Sequence, residues 1–239
     1  MDNKKKTLII TGVGVGVALL LFVAIAIFGM FRGFNSEKYV SAVLNQTFKG
    51  EVDAVAKMTK DSNPADLRAQ YEKGITSFAM NSLAGGVEME EDLKGKYISL
   101  CKEIFADMKY TVVDHKKKDN QSYDVTVEYQ PADIINRFAR SMTNVNTTLH
   151  NKVENGDYRG TRDEINEQMR KDFLKEVYPF YEADYANMEY GEKETIVFHV
   201  EKGENGLYKM DGQAVSEFIK KILIIIYVLL HAFNICFLL

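Results

Sequence analysis

The chain has 239 residues, and its 30 lysines and arginines stand against 34 aspartates and glutamates, for a formal net charge of −4 at pH 7. Over residues 32–221 charges of both signs are interspersed as on an ordinary solvated surface, which argues against nucleic-acid binding. Cys101 lies in a polar part of the chain and Cys236 in an apolar one, so we expect no disulfide between them.

The first predicted element is the apolar stretch 7–31, which contains no charged side chain. As a helix of about 25 residues it would extend roughly 37 Å, enough to cross a hydrocarbon core of about 30 Å. The stretch is longer than the apolar part of a signal peptide, and no small-x-small cleavage site follows it. Because Lys4, Lys5 and Lys6 precede it, we predict a cytoplasmic tail over 1–6, an uncleaved transmembrane anchor, and an extracytoplasmic location for the following residues.

Within the predicted anchor, Gly12 and Gly16 form a G-x-x-x-G pair. This spacing lets two helix backbones approach closely and can produce a homodimer through the membrane helix. Glycine is also frequent in membrane helices that do not dimerise, and this second interpretation is preferred. The glycines are not a dinucleotide-binding motif, since no strand precedes them and no amphipathic helix follows.

Residues 32–221 form the predicted extracytoplasmic domain, and its first part has the apolar spacing of three helices. The first helix begins at Ser36 and is expected to continue past Gly50, because Val52 and Val55 extend its apolar face. The breaker Asp61-Ser62-Asn63-Pro64 should end it. The second helix begins near residue 64 and ends at the Gly-Gly pair 85–86, and the third begins near residue 90.

The hydrophobic period then changes from helical to two, which is typical of strands. A first hairpin is predicted over 109–130, and a second over 196–210, each leading into a helix. The likeness of the two hairpins leaves a weak internal duplication open. The sequence therefore predicts an α+β fold in which helices pack on an antiparallel sheet made of two β-hairpins, in the order helix–hairpin–helix–hairpin–helix.

Between the hairpins, one helix is predicted over 132–152 and a longer one from Thr161. Thr161 and Glu164 have the spacing of a capping box. Pro179 is expected to kink this longer helix or to end it early. After the second hairpin, residues 213–221 again have the pattern of an amphipathic helix.

The densest aromatic patch is formed by Tyr178, Tyr181 and Tyr185. Outside a cell, such side chains can bind glycans or peptides. Their helical spacing is more typical of core residues, and that interpretation is preferred. The four histidines lack metal-ligand spacing, and no phosphate loop, CxxC or Gly-x-Ser-x-Gly motif occurs. We therefore predict no catalytic, metal or cofactor-binding residues.

The apolar C-terminal stretch 222–239 carries no formal charge over about 18 residues, the lower limit for a membrane helix. If it spans the membrane, the protein is two-pass, both termini are cytoplasmic, and the domain is an extracytoplasmic loop. Lys220 and Lys221 would then lie outside, contrary to the usual bias. A buried terminal helix and a change of reading frame are the alternatives.

Four segments carry a resemblance to a known family. Residues 39–58, 97–113, 123–135 and 194–219 resemble small membrane-anchored extracytoplasmic proteins of Gram-positive bacteria whose function is unknown. The resemblance implies an α+β fold like that of the cystatin or NTF2-like group, in which helices cover a curved antiparallel sheet. It implies no activity.

We predict a non-enzymatic, membrane-anchored extracytoplasmic binding or interaction module without a cofactor. Its expected partners are the lipid bilayer and a protein, peptide or cell-envelope component. One alternative is an accessory subunit of a membrane complex, which an exposed apolar patch would favour. Another is a cell-envelope hydrolase-like enzyme, which a pocket with convergent acids of shifted pKa would favour.

Overall fold

The computed structural model describes residues 27–28, 34–58, 63–119, 121–203 and 206–224. The predicted tail over 1–6 and most of the predicted anchor, with Gly12 and Gly16, lie outside the described residues. So does the C-terminal stretch after residue 224. Within these ranges no helix combines the length and hydropathy that a membrane crossing requires.

The described ranges contain seven α-helices and two β-hairpins. The helices are α1 (Ser36–Lys49), α2 (Asp53–Met58), α3 (Pro64–Phe78), α4 (Glu91–Ala106), α5 (Ile134–Glu154), α6 (Arg162–Ala186) and α7 (Gly212–Ile222). The strands are β1 (Ile27–Phe28), β2 (Lys109–Lys117), β3 (Ser122–Gln130), β4 (Glu194–Lys202) and β5 (Leu207–Met210). This order confirms the predicted α+β class.

The strands form one antiparallel sheet in the order β1-β5-β4-β3-β2. Strands β3 and β4 pair along almost their whole length, and β1 pairs with β5 at one edge. Val125, Val127 and Phe198 are fully buried on one face, whereas Val197 is exposed. The alternation is that of a sheet whose one face is covered by helices.

The carboxyl end of the predicted anchor differs from the prediction. Ile27 and Phe28 form strand β1 opposite Tyr208 and Leu207, so a single helix over 7–31 is wrong at these two positions. The edge of β5 presents unpaired backbone groups, and an extended segment that pairs with them satisfies both sides. Local hydropathy carries no information about that distant edge.

Helix α1 is shorter than the sequence predicts. It ends at Lys49, and Gly50 follows in the left-handed conformation with φ +67°, its N–H directed at Gln46 and Asn45 carbonyls. A Cβ at Gly50 would lie 2.7 Å from Tyr71 Cε1 on α3. Gly50 therefore ends α1 and admits the Tyr71 ring, and the chain resumes as the separate helix α2.

Helix α6 has the predicted start and a different end. Thr161 and Glu164 form the capping box, with both reciprocal hydrogen bonds present. Pro179 lies inside the helix, which continues to Ala186, so of the two predicted effects, a kink or an early end, the early end does not occur. Pro179 has no backbone N–H to donate within the helix. Tyr178 and Tyr181 on either side of it are buried, and this packing stabilises the helix through Pro179.

Helix α7 ends next to the predicted boundary at residue 221. Helix α7 ends at Ile222, and both Ile222 and Leu223 are fully buried. The Ala132 N–H donates to the Ile222 carbonyl at 2.7 Å, which ties the end of α7 to the start of α5. Residues 222 and 223 thus belong to the core, which α7 joins through Phe218, whose ring contacts those of Tyr129 and Phe198 on the sheet.

Candidate functional site

The three tyrosines of the predicted aromatic patch do not form one exposed surface. Tyr181 is fully buried and stacks on Phe138, with ring centroids 4.1 Å apart and planes 23° apart. Tyr178 is also buried, and its ring lies 5.2 Å from that of Tyr97. Tyr185 is half-buried and donates to Asp107 Oδ2 at 2.7 Å. The burial of Tyr178 and Tyr181 agrees with the preferred core interpretation.

Cys101 is the cysteine that the structure describes, and it is fully buried on α4. Burial raises the pKa of its thiol far above the ordinary value. A protonated, inaccessible thiol is a poor nucleophile, so Cys101 acts as a small core residue.

An open groove with a volume of about 690 Å³ lies where α1, α2 and α3 meet. We call it the α2 groove. Small-molecule and peptide sites typically have volumes of about 300–1,000 Å³. The groove is lined by Gly50, Glu51, Val52, Asp53, Ala54, Lys57, Met58 and Arg68.

The shape of the α2 groove depends on a few buried contacts. Val52 and Val55 are essentially fully buried and hold α2 against the core. Tyr71 packs beside Gly50. Burial is the main cause that raises the pKa of the Tyr71 hydroxyl to about 12. Since Val52 lies between α1 and α2, Val55 on α2 and Tyr71 on α3, the groove exists only when these helices are packed together.

One carboxylate at the rim of the groove is fixed by a chain of hydrogen bonds to the sheet. Tyr110 Oη on β2 donates to Asn45 Oδ1 at 3.0 Å, and Asn45 Nδ2 donates to Glu51 Oε2 at 2.8 Å. Burial, followed by the Glu51 charge, raises the pKa of Tyr110 above its ordinary value. Tyr110 therefore stays protonated and remains a hydrogen-bond donor. The two hydrogen bonds together place Glu51 on the β2 side of the molecule.

The other charged groups of the groove are not engaged in the same way. Asp53, Lys57 and Arg68 form no hydrogen bond or ion pair with any residue that the structure describes. Arg68 can bind a carboxylate or phosphate in a forked geometry, Lys57 can add a second positive charge, and Asp53 can accept from an ammonium group. The groove can thus bind a ligand that carries both signs of charge.

Neither a metal cluster nor a carboxyl group with a shifted pKa lies among the described residues of the groove. In the described part of the chain no group of three or more His, Cys, Asp and Glu side chains converges to hold a metal ion. Carboxyl groups with a shifted pKa lie elsewhere, and hydrogen bonds lower the pKa of Asp119, Asp124, Glu164 and Glu167. A lowered pKa favours the ionised form, in contrast to the raised pKa of a general acid.

A second feature joins the incoming chain to the sheet. Phe34 stacks on Tyr208, with centroids 3.7 Å apart and planes 4° apart, and it lies 5.5 Å from Tyr123 and 5.7 Å from Tyr39. Tyr39 Oη accepts from the Met210 N–H at 3.2 Å. We call Phe34, Tyr39, Tyr123 and Tyr208 the aromatic junction.

Sequence reasoning missed both the α2 groove and the aromatic junction. The local signal for the groove is Gly50, whose conformational freedom marks a break that the apolar spacing of Val52 and Val55 conceals. The junction has no local signal, because Phe34 and Tyr208 are separated by most of the chain.

Comparison with known proteins finds little. No family model matches the chain, and no curated protein matches it. A solved structure that does match is that of the candidate lipoprotein ycdA from Bacillus subtilis, with a TM-score of 0.44 and 11% sequence identity. The match covers 79% of this chain and 56% of ycdA. At this level the likeness assigns neither a family nor a function.

Proposed function

We propose that this chain is a membrane-tethered extracytoplasmic binding module whose ligand occupies the α2 groove. The observation that carries the proposal is a concave site of ligand size, with Asp53, Lys57 and Arg68 unpaired among the described residues. Charged side chains that hold a fold together are usually paired, whereas unpaired charges around a concavity are available to a ligand.

The tether is proposed from the apolar sequence that precedes β1. Residues 7–26 number twenty, and a helix of that length covers about 30 Å, close to the thickness of a hydrocarbon core. Starting the sheet at Ile27 therefore leaves a stretch of spanning length. Lys4, Lys5 and Lys6 favour a cytoplasmic amino end, and so an extracytoplasmic domain.

The ligand is proposed to be a peptide or another zwitterionic cell-envelope component. Arg68 and Lys57 suit a carboxylate, and Asp53 suits an ammonium group. Met58, which is partly exposed, adds an apolar side chain to the lining of the groove. This combination fits a short peptide segment better than a uniformly anionic polymer, which Asp53 and Glu51 would repel.

The test is site-specific photocrosslinking in intact cells. A photoreactive amino acid replaces Ala54, which lines the groove and is exposed, and a matched variant carries it at the exposed Ala186 of α6. We expect a crosslinked ligand at position 54 that is absent at 186 and is lost when Arg68→Glu is added. The same ligand at both positions, or one indifferent to Arg68→Glu, overturns the proposal.

Matched controls separate a lost contact from a lost fold. Arg140→Glu changes an exposed arginine on α5, outside the groove, and should leave the crosslink unchanged. Orientation is tested with protease: the domain should be digested from outside intact cells, and protection there with digestion in inverted vesicles would reverse it. The accessory-subunit and hydrolase alternatives stay predictions.

A further inference from the structure

We infer that the β1–β5 edge of the sheet lies on the lipid headgroup layer, and that the β2 edge and the α2 groove are held away from it. The inference rests on the proposed membrane tether and adds an orientation to it. The occupant of this edge is the bilayer, because the apolar stretch 7–26 joins the domain there.

The first argument is that no spacer separates the apolar stretch from the sheet. Strand β1 begins at Ile27, and Ile27 already pairs with Tyr208 of β5. A flexible linker between anchor and domain would let the domain sample many distances from the membrane. A chain that enters the sheet directly after the apolar stretch keeps β5 close to the bilayer surface.

The second argument is that the chain is held on β5 again a few residues later. Phe34 stacks on the ring of Tyr208, the same residue whose backbone pairs with Ile27. Phe34 also contacts Tyr39 and Tyr123, so its ring is held by residues of α1 and β3. To separate β5 from the point where the chain enters the domain, both the strand pairing and the aromatic junction would have to break.

The third argument concerns the opposite edge. The sheet order places β5 and β2 three strand spacings apart, which is about 14 Å at ~4.8 Å per spacing. Tyr110 of β2 leads through Asn45 to Glu51, so the α2 groove lies on the β2 side. The orientation thus leaves the groove open to ligands that approach from outside.

Fluorescence quenching in nanodiscs tests the orientation. The full chain with Cys236→Ser, in which Cys101 is fully buried, receives one label at Lys209→Cys on β5 or at Lys116→Cys on β2. The nanodiscs contain phosphatidylcholine, phosphatidylglycerol and a lipid with a nitroxide on its headgroup. We expect quenching at 209 to exceed that at 116 by at least about twofold, given the three strand spacings between them.

Two variants test the cause of this difference. Phe34→Ala removes the stack on Tyr208 from a half-buried position and should bring the two quenching values together. Phe180→Ala removes an exposed ring of α6, outside the junction, and should leave the difference intact. Circular dichroism confirms that each variant is folded.

The outcomes distinguish the orientation from the tether. Protein that fails to co-elute with nanodiscs overturns the tether and the orientation with it. Protein that co-elutes but shows equal quenching at 209 and 116, or stronger quenching at 116, overturns the orientation alone. A difference that survives Phe34→Ala shows that the aromatic junction does not hold the domain in place.

Discussion

The helix pair α5–α6 and the α2 groove use charged side chains in opposite ways. Between α5 and α6, Lys152 forms an ion pair with Glu176, and Tyr158 near the start of α6 donates to Asp172 Oδ2 at 3.0 Å. In the α2 groove, Asp53, Lys57 and Arg68 form no hydrogen bond or ion pair with any residue that the structure describes. Paired charges of this kind contribute to the fold, whereas the unpaired charges of the groove are those that we propose bind the ligand.

The two regions also differ in what lies beneath those charges. Below α5–α6, Phe138 and Tyr181 stack in the fully buried core. At the groove, Gly50 lies so close to the Tyr71 ring that a Cβ there would be 2.7 Å from it. The difference predicts that core and groove respond separately to substitution, and the following changes test it.

The largest effect is expected in the helix pair. Phe138→Ala removes a fully buried ring and should lower the free energy of unfolding by about 3–5 kcal/mol. Urea denaturation measures the loss. At temperatures where this variant is folded, the crosslink from position 54 should persist, and its disappearance would show that the two regions are coupled.

The next effect is expected at the groove itself. Gly50→Ala puts a Cβ 2.7 Å from the Tyr71 ring and forces alanine into the left-handed conformation, so we expect a loss of about 2–4 kcal/mol. Gly95→Ala in α4, whose Cβ would meet nothing within 4 Å, should instead stabilise by about 0.5–1 kcal/mol. Denaturation curves with the same sign for both would refute this account of Gly50.

A matched pair of lysines separates the two uses of charge. Lys152→Ala breaks the partly buried ion pair with Glu176 and should cost about 0.5–1 kcal/mol. Lys57→Ala should change the free energy of unfolding by less than about 0.5 kcal/mol but weaken the groove crosslink. An equal loss of stability in both variants would mean that Lys57 has a structural role.

The smallest effect is a pH dependence at the sheet. Hydrogen bonding from His199, at 3.0 Å, and then Lys118 lowers the pKa of Asp124 below its ordinary value of 3.8. Since the folded state has the lower pKa, this contribution is complete above about pH 4 and is lost as the pH falls through the folded pKa. Asp124→Asn should flatten the decrease in urea midpoint between about pH 5 and 3, and an unchanged slope would contradict the assignment.

Several elements could be predicted because their signals are local. The β2–β3 hairpin follows from the alternation of Tyr123, Val125 and Val127 with polar residues, and the α6 start follows from Thr161 and Glu164. In both cases the deciding contacts lie within a few residues or on the neighbouring strand. Apolar spacing was sufficient for the hairpin and for the α+β class, and the capping-box spacing was sufficient for the start of α6.

Other elements could not be predicted because contacts distant in sequence decide them. Tyr71 on α3 makes Gly50 a helix end, and β5 makes Ile27 a strand residue. The buried tyrosines beside Pro179 keep α6 continuous through that position. The candidate site depended on the first of these contacts, and so it was missed.

By itself, the sequence determined the hairpins, the capping box, the α+β class and the apolar stretch before the domain, since local periodicity and hydropathy specify them. Only the tertiary structure decided the groove and the edge at which the chain enters the sheet. Both arise where Gly50 meets Tyr71 and where Tyr208 meets Ile27 and Phe34. Such contacts depend on how helices and strands pack, and no local sequence pattern predicts them.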